Sequence, residues 1–327
     1  MRYRHLGRSG VMVSEVSLGT GGQFGLLGEE TARRIVGAAL DGGINYFDTA
    51  NIYPVTETLP GGELAEQLLG LALGGHRHEV VVGTKGMQAT GPGVNERGAS
   101  RYNLMNALEA SLRRLRTDHV DLYQVHLFDP GTPLAETMRT LDDMVRSGKV
   151  RYVGASQYQA WQLCRGNDLA ERYGWERFVS TQAHYHLLER EVERELLPFC
   201  REMCVGLLPY FPMANGLFAD NYRPDQEPAP GSRAAFFARA RDYHRRYGTP
   251  ANLAILERLT AFARERNHTL PELAVAWLLA EPAVSTVPAG ASKPEQVVAN
   301  ARASEWRLAD DELVAIRAIL GAGGGDH

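Results

Sequence analysis

The chain has 327 residues, of which 44% are hydrophobic and 23% charged, a balance typical of a folded globular protein with a large core. Its 35 basic and 39 acidic side chains give a formal net charge of -4, so no basic field attracts a phosphate backbone and we expect no nucleic-acid binding. Three cysteines, an odd and small number, favour a reducing compartment, and we expect a cytoplasmic protein without a disulfide framework.

The amino-terminal segment predicts a β-hairpin. Its first ten residues are polar and rich in turn formers, unlike a signal peptide. Segments 3–6 and 11–13 flank the turn Gly7-Arg8-Ser9-Gly10, and we expect this hairpin to close the floor of a barrel. Further along, the longest apolar stretch, around 273–280, is too short to span a bilayer, so we expect no membrane role.

Eight apolar runs with strand character follow the hairpin, and most of them precede a segment with helical periodicity. The predicted strands span 16–20, 45–50, 80–85, 120–126, 151–156, 179–185, 206–210 and 284–290. The predicted helices span 29–41, 63–73, 101–116, 133–146, 160–173, 191–203, 252–266, 294–301 and 309–320. This alternation predicts an α/β fold, a parallel (β/α)8 TIM barrel, as a single domain over 1–320 with 321–327 as a flexible tail.

A doubly wound sheet is the alternative architecture. It normally has a Gly-x-Gly-x-x-Gly turn after its first strand, and the glycine spacing in 19–25 does not match that turn. Two irregular stretches, 87–100 and 215–249, are long enough to indicate functional loops. In a barrel both follow the carboxyl ends of strands, where active sites lie.

Four polar residues stand at or just after predicted strand ends. Asp48 ends the second strand and Tyr53 follows it by five residues, while Lys85 and His126 end the third and fourth strands. Each residue alone is compatible with a structural role, such as a loop cap or a core histidine. At successive strand ends of one barrel, however, the four together predict an active site.

These four side chains suit protonation of an oxygen as hydride reaches the adjacent carbon. A phenol has a pKa of about 10, so Tyr53 is a useful acid at neutral pH only if a cation stabilises its phenolate. Lys85 can be that cation, with Asp48 keeping it charged and oriented. A neutral His126 can hydrogen-bond the carbonyl oxygen of a substrate.

Further motifs accompany these residues in a fixed order along nearly the whole chain. They are the hairpin segment 3–10, Ser17-Leu18-Gly19-Thr20, and Gly290-Ala291-Ser292-Lys293-Pro294-Glu295-Gln296. Together with the tetrad they resemble the aldo-keto reductase family, and within it the bacterial branch that also resembles potassium-channel β subunits. The resemblance implies a barrel that binds NADPH or NADP+ across its mouth and reduces a small-molecule aldehyde or ketone.

The resemblance also implies a set of cofactor contacts. They are Gly19, Thr20, Asp48, Ser156, Gln157, Gln182, Tyr210, Phe211, Pro212, Met213, Ala214, Asn215, Gly290, Ser292, Lys293, Gln296 and Asn300. Within this set, Ser156, Gln157 and Gln182 would hold the nicotinamide carboxamide, and Tyr210 would stack on the nicotinamide. Many relatives have Asn at the position of Gln157 and Ser at that of Phe211.

Segments 211–215 and 290–300 would contact the rest of the cofactor. The backbone of the first would line the pyrophosphate. In the second, Ser292 and Lys293 would neutralise a 2'-phosphate, which favours NADPH over NADH, and Gln296 with Asn300 would contact the adenine. Without the resemblance, the second segment is simply the start of a helix.

The expected substrate contacts are Gln23, Phe24, Tyr53 and His126. The predicted wall around them is mostly apolar and discriminates weakly among carbonyl compounds, because one methylene changes binding by about 1–3 kcal/mol. The sequence therefore names no substrate. It also does not decide the oligomeric state, and a homo-oligomer is compatible with the family.

No metal site is expected. Cys200 and Cys204 lack the usual Cys-x-x-Cys spacing and a partner pair. His184 and His186 share a strand face with Gln182, which favours pocket lining over metal binding. The basic run in 239–246 predicts a solvated amphipathic helix, with a loop that covers the cofactor as the alternative.

Two other functions are compatible with the sequence. One is a cofactor-bearing regulatory subunit that resembles the channel β subunits and senses redox state. The other keeps hydride transfer but acts on a nucleotide-linked keto-sugar or an enone. His126 argues against steroid-type double-bond reduction, because relatives with that activity often replace this histidine.

Overall fold

A β-hairpin opens the chain, as the turn at 7–10 predicts. The computed structural model describes residues 1–54, 62–219 and 233–321. Strands β1 (Tyr3–His5) and β2 (Met12–Ser14) pair in antiparallel fashion. Gly7 in the turn has φ +55°, and a Cβ there would lie 2.0 Å from the carbonyl oxygen of Val179. The turn therefore lies directly against the end of a barrel strand, and only glycine fits it.

Eight parallel strands form the barrel wall in the described part of the chain. They are β3 (Val16–Gly19), β4 (Tyr46–Asp48), β5 (Val81–Gly86), β6 (Val120–Val125), β7 (Val150–Ser156), β8 (Ser180–His184), β9 (Gly206–Tyr210) and β10 (Val287–Gly290). Their order in the sheet is β10-β3-β4-β5-β6-β7-β8-β9. A parallel bridge between Leu207 and Val284 joins β9 to the segment before β10 and closes the ring. The predicted (β/α)8 barrel is confirmed.

Helices cover the outside of the barrel. In the described residues they are α1 (Glu29–Asp41), α2 (Leu64–Leu73), α3 (Arg101–Leu115), α4 (Leu134–Arg146), α5 (Ala160–Tyr173), α6 (Leu196–Met203), α7 (Arg233–Phe236), α8 (Ala238–Tyr247), α9 (Pro250–Arg264), α10 (Leu270–Leu279), α11 (Pro294–Ala303) and α12 (Asp310–Gly321). Side-chain oxygens of Ser100, Thr249 and Thr269 accept hydrogen bonds from the first turns of α3, α9 and α10, where backbone amides lack helical partners. Within the described ranges, no helix combines the length and the apolar character needed to cross a membrane.

Three predicted features differ from the structure. Helix α10 was not predicted, because eight of its ten residues are buried and the segment lacks the one-sided periodicity of a surface helix. The predicted helix 191–203 divides into a 3-10 turn, Glu191–Glu193, and α6. The stretch 215–249 contains α7 and α8, and its residues 220–232 lie outside the described residues, as does nearly all of the predicted tail 321–327.

The hairpin closes the amino-terminal end of the barrel. Leu6 and Val13 pack in a buried cluster with residues of the barrel interior, namely Tyr46, Val81, Leu122, Val179 and Leu208. Arg4 forms an ion pair with Glu15. Its guanidinium also donates hydrogen bonds to three backbone carbonyl oxygens that precede β10, those of Leu279, Glu281 and Val284. The predicted closure of the barrel floor is therefore present, and it leaves the carboxyl ends of the strands as the open face.

Candidate active site

A buried ion pair lies at the carboxyl ends of β4 and β5. Asp48 is the last residue of β4, and the parallel pairing of β4 with β5 brings Lys85 to the same end of the barrel. The Lys85 ammonium donates to Asp48 Oδ2 at 2.7 Å and to the carbonyl oxygen of Thr49 at 2.8 Å, and the Lys85 side chain is 0% exposed. A charge buried this deeply is stable only with such partners.

The Lys85 ammonium stays protonated. Burial alone would lower the pKa of Lys85. The charges of Asp48 and Tyr53, together with the hydrogen bonds that Lys85 makes to both residues, raise that pKa above its ordinary value. The site therefore contains a permanent cation at neutral pH.

Amide and hydroxyl groups hold Asp48 in place. Its Oδ1 accepts a hydrogen bond from Gln182 Nε2 at 3.1 Å and a longer one from Gln124 Nε2 at 3.5 Å. The backbone N–H and the hydroxyl of Thr20 both donate to the Asp48 carbonyl oxygen, at 2.8 and 3.1 Å. Thr20 is itself buried. It therefore supports the carboxylate that the tetrad needs, whatever else it contacts.

Tyr53 lies between the cation and a histidine. The Lys85 Nζ atom is 5.1 Å from the centroid of the Tyr53 ring. The centroid of the His126 ring is 5.8 Å from that of Tyr53, and the two planes meet at 85°. The structure thus brings together all four residues that the sequence places at strand ends.

His126 is neutral in this site. Burial, together with the nearby Lys85 charge, lowers the pKa of His126 to about 3. Its backbone N–H donates to the carbonyl oxygen of Gly86 at 2.9 Å, and its Nδ1 has no hydrogen-bond partner within the described chain. A neutral imidazole can donate a hydrogen bond to a substrate oxygen without adding a second positive charge beside Lys85.

The residues expected around the nicotinamide lie next to this tetrad. Ser156 is opposite Gln182 in the register of β7 and β8. Gln157 follows β7 with a left-handed backbone, φ 56°, and its Nε2 donates to the carbonyl oxygen of His126 at 3.4 Å. Its Oε1 accepts a hydrogen bond from the Tyr210 hydroxyl at 3.4 Å. These four side chains therefore share one part of the barrel mouth.

The segment after β9 has an unusual backbone. Phe211, Ala214 and Asn215 have φ values of 56°, 46° and 58°, and Pro212 and Met213 lie between them. Left-handed residues in a turn can direct backbone amides toward an anion. The Oδ1 atom of Asn215 is buried and has no hydrogen-bond partner in the described part of the chain. The backbone amides of this turn, and not the Asn215 acceptor oxygen, suit a phosphate-containing ligand.

The segment 290–300 is preorganised. Gln296 Oε1 accepts hydrogen bonds from the backbone N–H and the hydroxyl of Ser292, at 2.7 and 3.1 Å. Asn300 Nδ2 donates to the carbonyl oxygen of Gly290 at 3.3 Å, and Gly290 is opposite Gly19 in the register of β10 and β3. Lys293 is exposed at the start of α11 and forms no ion pair with any described residue. A helix start of this kind with a nearby cation suits a phosphate group.

The comparison with known families settles the class of this barrel. The family model described as "Aldo/keto reductase family" matches residues 15–320. The chain belongs to the aldo/keto reductase family. It is therefore an oxidoreductase of a family that generally uses nicotinamide cofactors.

Relatives of this aldo/keto reductase carry several names. It is 36% identical to the uncharacterized oxidoreductase YrpG of Bacillus subtilis, over 100% of the chain and 98% of that protein. It is 33% identical to a putative aryl-alcohol dehydrogenase of Schizosaccharomyces pombe, over 95% of the chain and 93% of that protein. It is 34% identical to a probable voltage-gated potassium channel subunit beta of Oryza sativa, over 93% of the chain and 91% of that protein. The predicted similarity to the channel β subunits is confirmed.

The expected substrate contacts of this aldo/keto reductase need one correction. Phe24 is 1% exposed and packs in the main hydrophobic core, because the 3-10 turn Phe24–Leu26 directs its ring inward. It therefore offers almost no surface to a substrate. Gln23 is partly exposed, while Tyr53 and His126 lie in the tetrad.

Two contacts of this aldo/keto reductase were missed by the sequence reasoning. Gln124 contacts Asp48, and the signal in the sequence is an amide in strand β6 on the same face as the inward-facing Leu122. Tyr243 of α8 contacts both His184 and His186. The expected helix in the basic run 239–246 is α8, and among the described residues no cluster of three or more His, Cys, Asp or Glu side chains could hold a metal ion.

Proposed function

We propose that this aldo/keto reductase reduces an aldehyde or ketone to an alcohol, with NADPH as the hydride donor and Tyr53 as the proton donor. The buried Lys85–Asp48 pair beside Tyr53 is the observation that supports this reading most strongly. We also propose a cytoplasmic location, because a chain with three cysteines suits a reducing compartment.

Tyr53 gives its phenolic proton to the carbonyl oxygen of the substrate. The negative charge that develops on the phenolate is stabilised by the adjacent Lys85 ammonium, and this stabilisation is strong because the cation is excluded from water. Asp48 keeps Lys85 charged and fixes its direction through the 2.7 Å hydrogen bond. The proton that leaves Tyr53 therefore moves toward the substrate with little reorganisation of the site.

His126 orients the substrate. As a neutral side chain it donates a hydrogen bond to the carbonyl oxygen, which aligns that oxygen with the Tyr53 hydroxyl and makes the adjacent carbon more electrophilic. Its low pKa keeps it from protonating in the physiological range. Both hydrogen bonds to the oxygen then come from groups whose protonation is fixed before the substrate arrives.

The residues around the barrel mouth fit a nicotinamide dinucleotide. The amide side chains of Gln157 and Gln182 match a carboxamide, the backbone amides of the left-handed turn at 211–215 suit the phosphate region, and Lys293 suits a 2'-phosphate. When bound, NADPH supplies the hydride. The full proposed set consists of the seventeen residues named from the sequence, from Gly19 to Asn300.

The substrate is a carbonyl compound with an apolar, aromatic substituent. Phe128 and Trp161 follow β6 and β7 at the open end of the barrel, and their rings meet edge to face at 5.9 Å. Trp161 is 55% exposed. Phe128 is half-buried and follows His126 by two residues, so together with the exposed Trp161 it offers a planar group a surface to contact. The name of the relative from Schizosaccharomyces pombe also supports aryl carbonyl compounds as the first to try.

The decisive experiment measures NADPH oxidation with a panel of aromatic aldehydes, dicarbonyls, keto-sugars and enones. Tyr53→Phe should lower turnover of the best substrate about 100-fold or more, the contribution of a positioned proton donor. Tyr102→Phe removes the hydroxyl of an exposed tyrosine on α3 and is the matched control. Unchanged turnover in Tyr53→Phe would overturn the proposed role.

A regulatory subunit is the second candidate function. The similarity to a probable potassium channel β subunit of Oryza sativa favours it. In that case NADPH would bind tightly while every substrate of the panel would be reduced slowly, and the protein would purify in a stable complex with another chain. Rapid multiple turnover by the isolated protein counts against it.

A further inference from the structure

Tyr210 has an aromatic partner behind it. The imidazole of His184 stacks on the Tyr210 ring with a centroid distance of 5.0 Å and planes only 2° apart. Both residues end neighbouring strands, and they are opposite each other in the register of β8 and β9. Two flat rings in parallel contact restrict each other's rotation, so His184 limits the orientations available to Tyr210.

Hydrogen bonds fix the orientation of the His184 ring in turn. Tyr243 of α8 places its hydroxyl 3.0 Å from His184 Nε2 and also in contact with His186 Nε2. A phenolic O–H has one proton to donate and an oxygen that accepts, so a Tyr243 proton that stays within this cluster goes to one imidazole while the other imidazole donates to the Tyr243 oxygen. The direction depends on the tautomers of the two histidines.

The backbone decides those tautomers. The N–H of Leu188 donates to His186 Nδ1 at 3.1 Å, so this nitrogen carries no proton. Burial keeps the pKa of His186 well below its ordinary value, and the ring is therefore neutral with its proton on Nε2. His186 Nε2 then donates to Tyr243, and Tyr243 donates to His184 Nε2. His184 is left with its proton on Nδ1.

The surroundings of His184 agree with this tautomer. Its Nδ1 faces the carboxylate of Glu189, with 3.9 Å between Nδ1 and Oε2. Burial lowers the pKa of His184 to about 4, Glu189 acts in the opposite direction, and Arg246 adds to the lowering. His184 is therefore neutral at physiological pH, with an N–H turned toward a carboxylate and a lone pair turned toward Tyr243.

We propose that His184 is a positioning residue for the nicotinamide-stacking ring of Tyr210, and that Tyr243 of α8 sets its orientation through a directed chain of hydrogen bonds from Leu188 through His186. The inference rests on the proposed function, since it takes Tyr210 as the ring that stacks on the nicotinamide. It assigns α8 a share in cofactor binding that acts through Tyr243 and His184.

The first test needs no cofactor. Nitrogen NMR of the histidine rings distinguishes the two neutral tautomers, and the His184 and His186 signals are assigned by their loss in single variants. We expect the Nδ1–H form for His184 and the Nε2–H form for His186 at neutral pH. In Tyr243→Phe the His184 signal should move toward the mixture of free histidine. An Nε2–H form of His184 in the wild-type protein would overturn the chain of hydrogen bonds.

The second test measures the dissociation constant for NADPH by quenching of protein fluorescence. His184→Ala should raise this constant about 3- to 10-fold, the range that one aromatic pair contributes. Tyr243→Phe should raise it less, and the double variant should be no worse than His184→Ala, because Tyr243 acts through His184. Tyr243→Phe removes a single hydroxyl, so it reports on the hydrogen bond between Tyr243 and His184 even if His184→Ala destabilises the fold.

The matched control is Tyr185→Phe. Tyr185 lies between the two histidines in sequence, is buried, and donates its hydroxyl to Glu193 instead of to the cluster. This variant should lose stability without a change in the dissociation constant.

Two outcomes are distinguishable. Failure of the wild-type protein to bind NADPH counts against the proposed function and removes the basis of this inference. If the wild-type protein binds NADPH and both His184→Ala and Tyr243→Phe bind it with the same dissociation constant, the inference alone is overturned.

Discussion

Gly21 lies against the ring of Tyr53: a Cβ built on Gly21 would be 3.1 Å from both Cε2 and Cζ of that ring. We predict that Gly21→Ala shifts the Tyr53 ring by a few tenths of an ångström. Because a misplacement of about 1 Å can cost about 100-fold in rate, turnover should fall by about 3- to 10-fold. Steady-state kinetics on the best substrate measure this loss.

Gly37→Ala is the control for this substitution. Gly37 lies in α1, and a Cβ there meets no atom within 4 Å. This variant should keep wild-type turnover and gain a little stability, because alanine is the better helix former by about 1 kcal/mol. Equal kinetics of the two glycine variants would contradict the proposed contact between Gly21 and the catalytic ring.

The Asp48–Lys85 pair should show strong thermodynamic coupling. Asp48→Asn leaves the Lys85 ammonium buried without a carboxylate and should lower the free energy of unfolding by about 3–5 kcal/mol. The additional substitution Lys85→Met removes the unpaired buried charge and should recover much of the lost free energy of unfolding. Urea denaturation of both single variants and the double variant measures the coupling, and simple additivity would be the opposite result. All three variants should be inactive.

Acid should destabilise the protein through its buried histidines. Their ordinary pKa is 6.5, while the folded protein lowers it to about 3 in His126 and about 4 in His184. The unfolded chain therefore binds more protons as pH falls below 6.5, and folding stability present above that pH is lost as pH falls toward 4. Each such histidine contributes a slope of at most about 1.4 kcal/mol per pH unit.

Urea denaturation between pH 7 and pH 4 tests this dependence, with values of pH chosen around the ordinary histidine pKa. The variant His184→Phe keeps a flat ring and removes one titrating group. It should reduce the decrease of the unfolding free energy with falling pH by the contribution of one histidine. An identical slope in the variant would show that His184 contributes nothing to the acid sensitivity.

Lys293 should distinguish NADPH from NADH. The chain has three lysines, Lys85, Lys149 and Lys293, and only Lys293 lies in the segment that suits a 2'-phosphate. Lys293→Met should raise the dissociation constant for NADPH by about 10-fold or more, as expected for a charge-assisted hydrogen bond, and leave that for NADH unchanged. Lys149→Met, before β7 at the closed end of the barrel, is the control. Equal losses for both cofactors would contradict the assignment.

The sequence predicts most of the barrel because its strands are short apolar runs that end in turns. Asp48 and Lys85 were recognisable for the same reason: a polar residue at the end of a buried strand has few structural explanations. Helix α10 escaped recognition because it is apolar on nearly all sides. The position of Phe24 after β3 predicts a place at the mouth and does not reveal the 3-10 turn in which Phe24 packs in the core.

Contacts between distant segments were beyond such reasoning. The stacking of His184 on Tyr210 depends on the register of β8 and β9, and its hydrogen bond to Tyr243 depends on how α8 packs against the end of β8. Neither can be found from periodicity, which reports only on the face that a residue presents.

The hairpin that closes the barrel floor imposes an order on events during synthesis. Arg4 emerges from the ribosome 275 residues before the first of its carbonyl partners, which are those of Leu279, Glu281 and Val284. The nascent hairpin therefore lacks these partners until the segment that precedes β10 has been translated. Closure of the barrel floor is therefore a late event, because it requires segments from both ends of the sheet. A chain that stalls before β10 leaves the apolar amino-terminal end of its barrel exposed to chaperones and proteases.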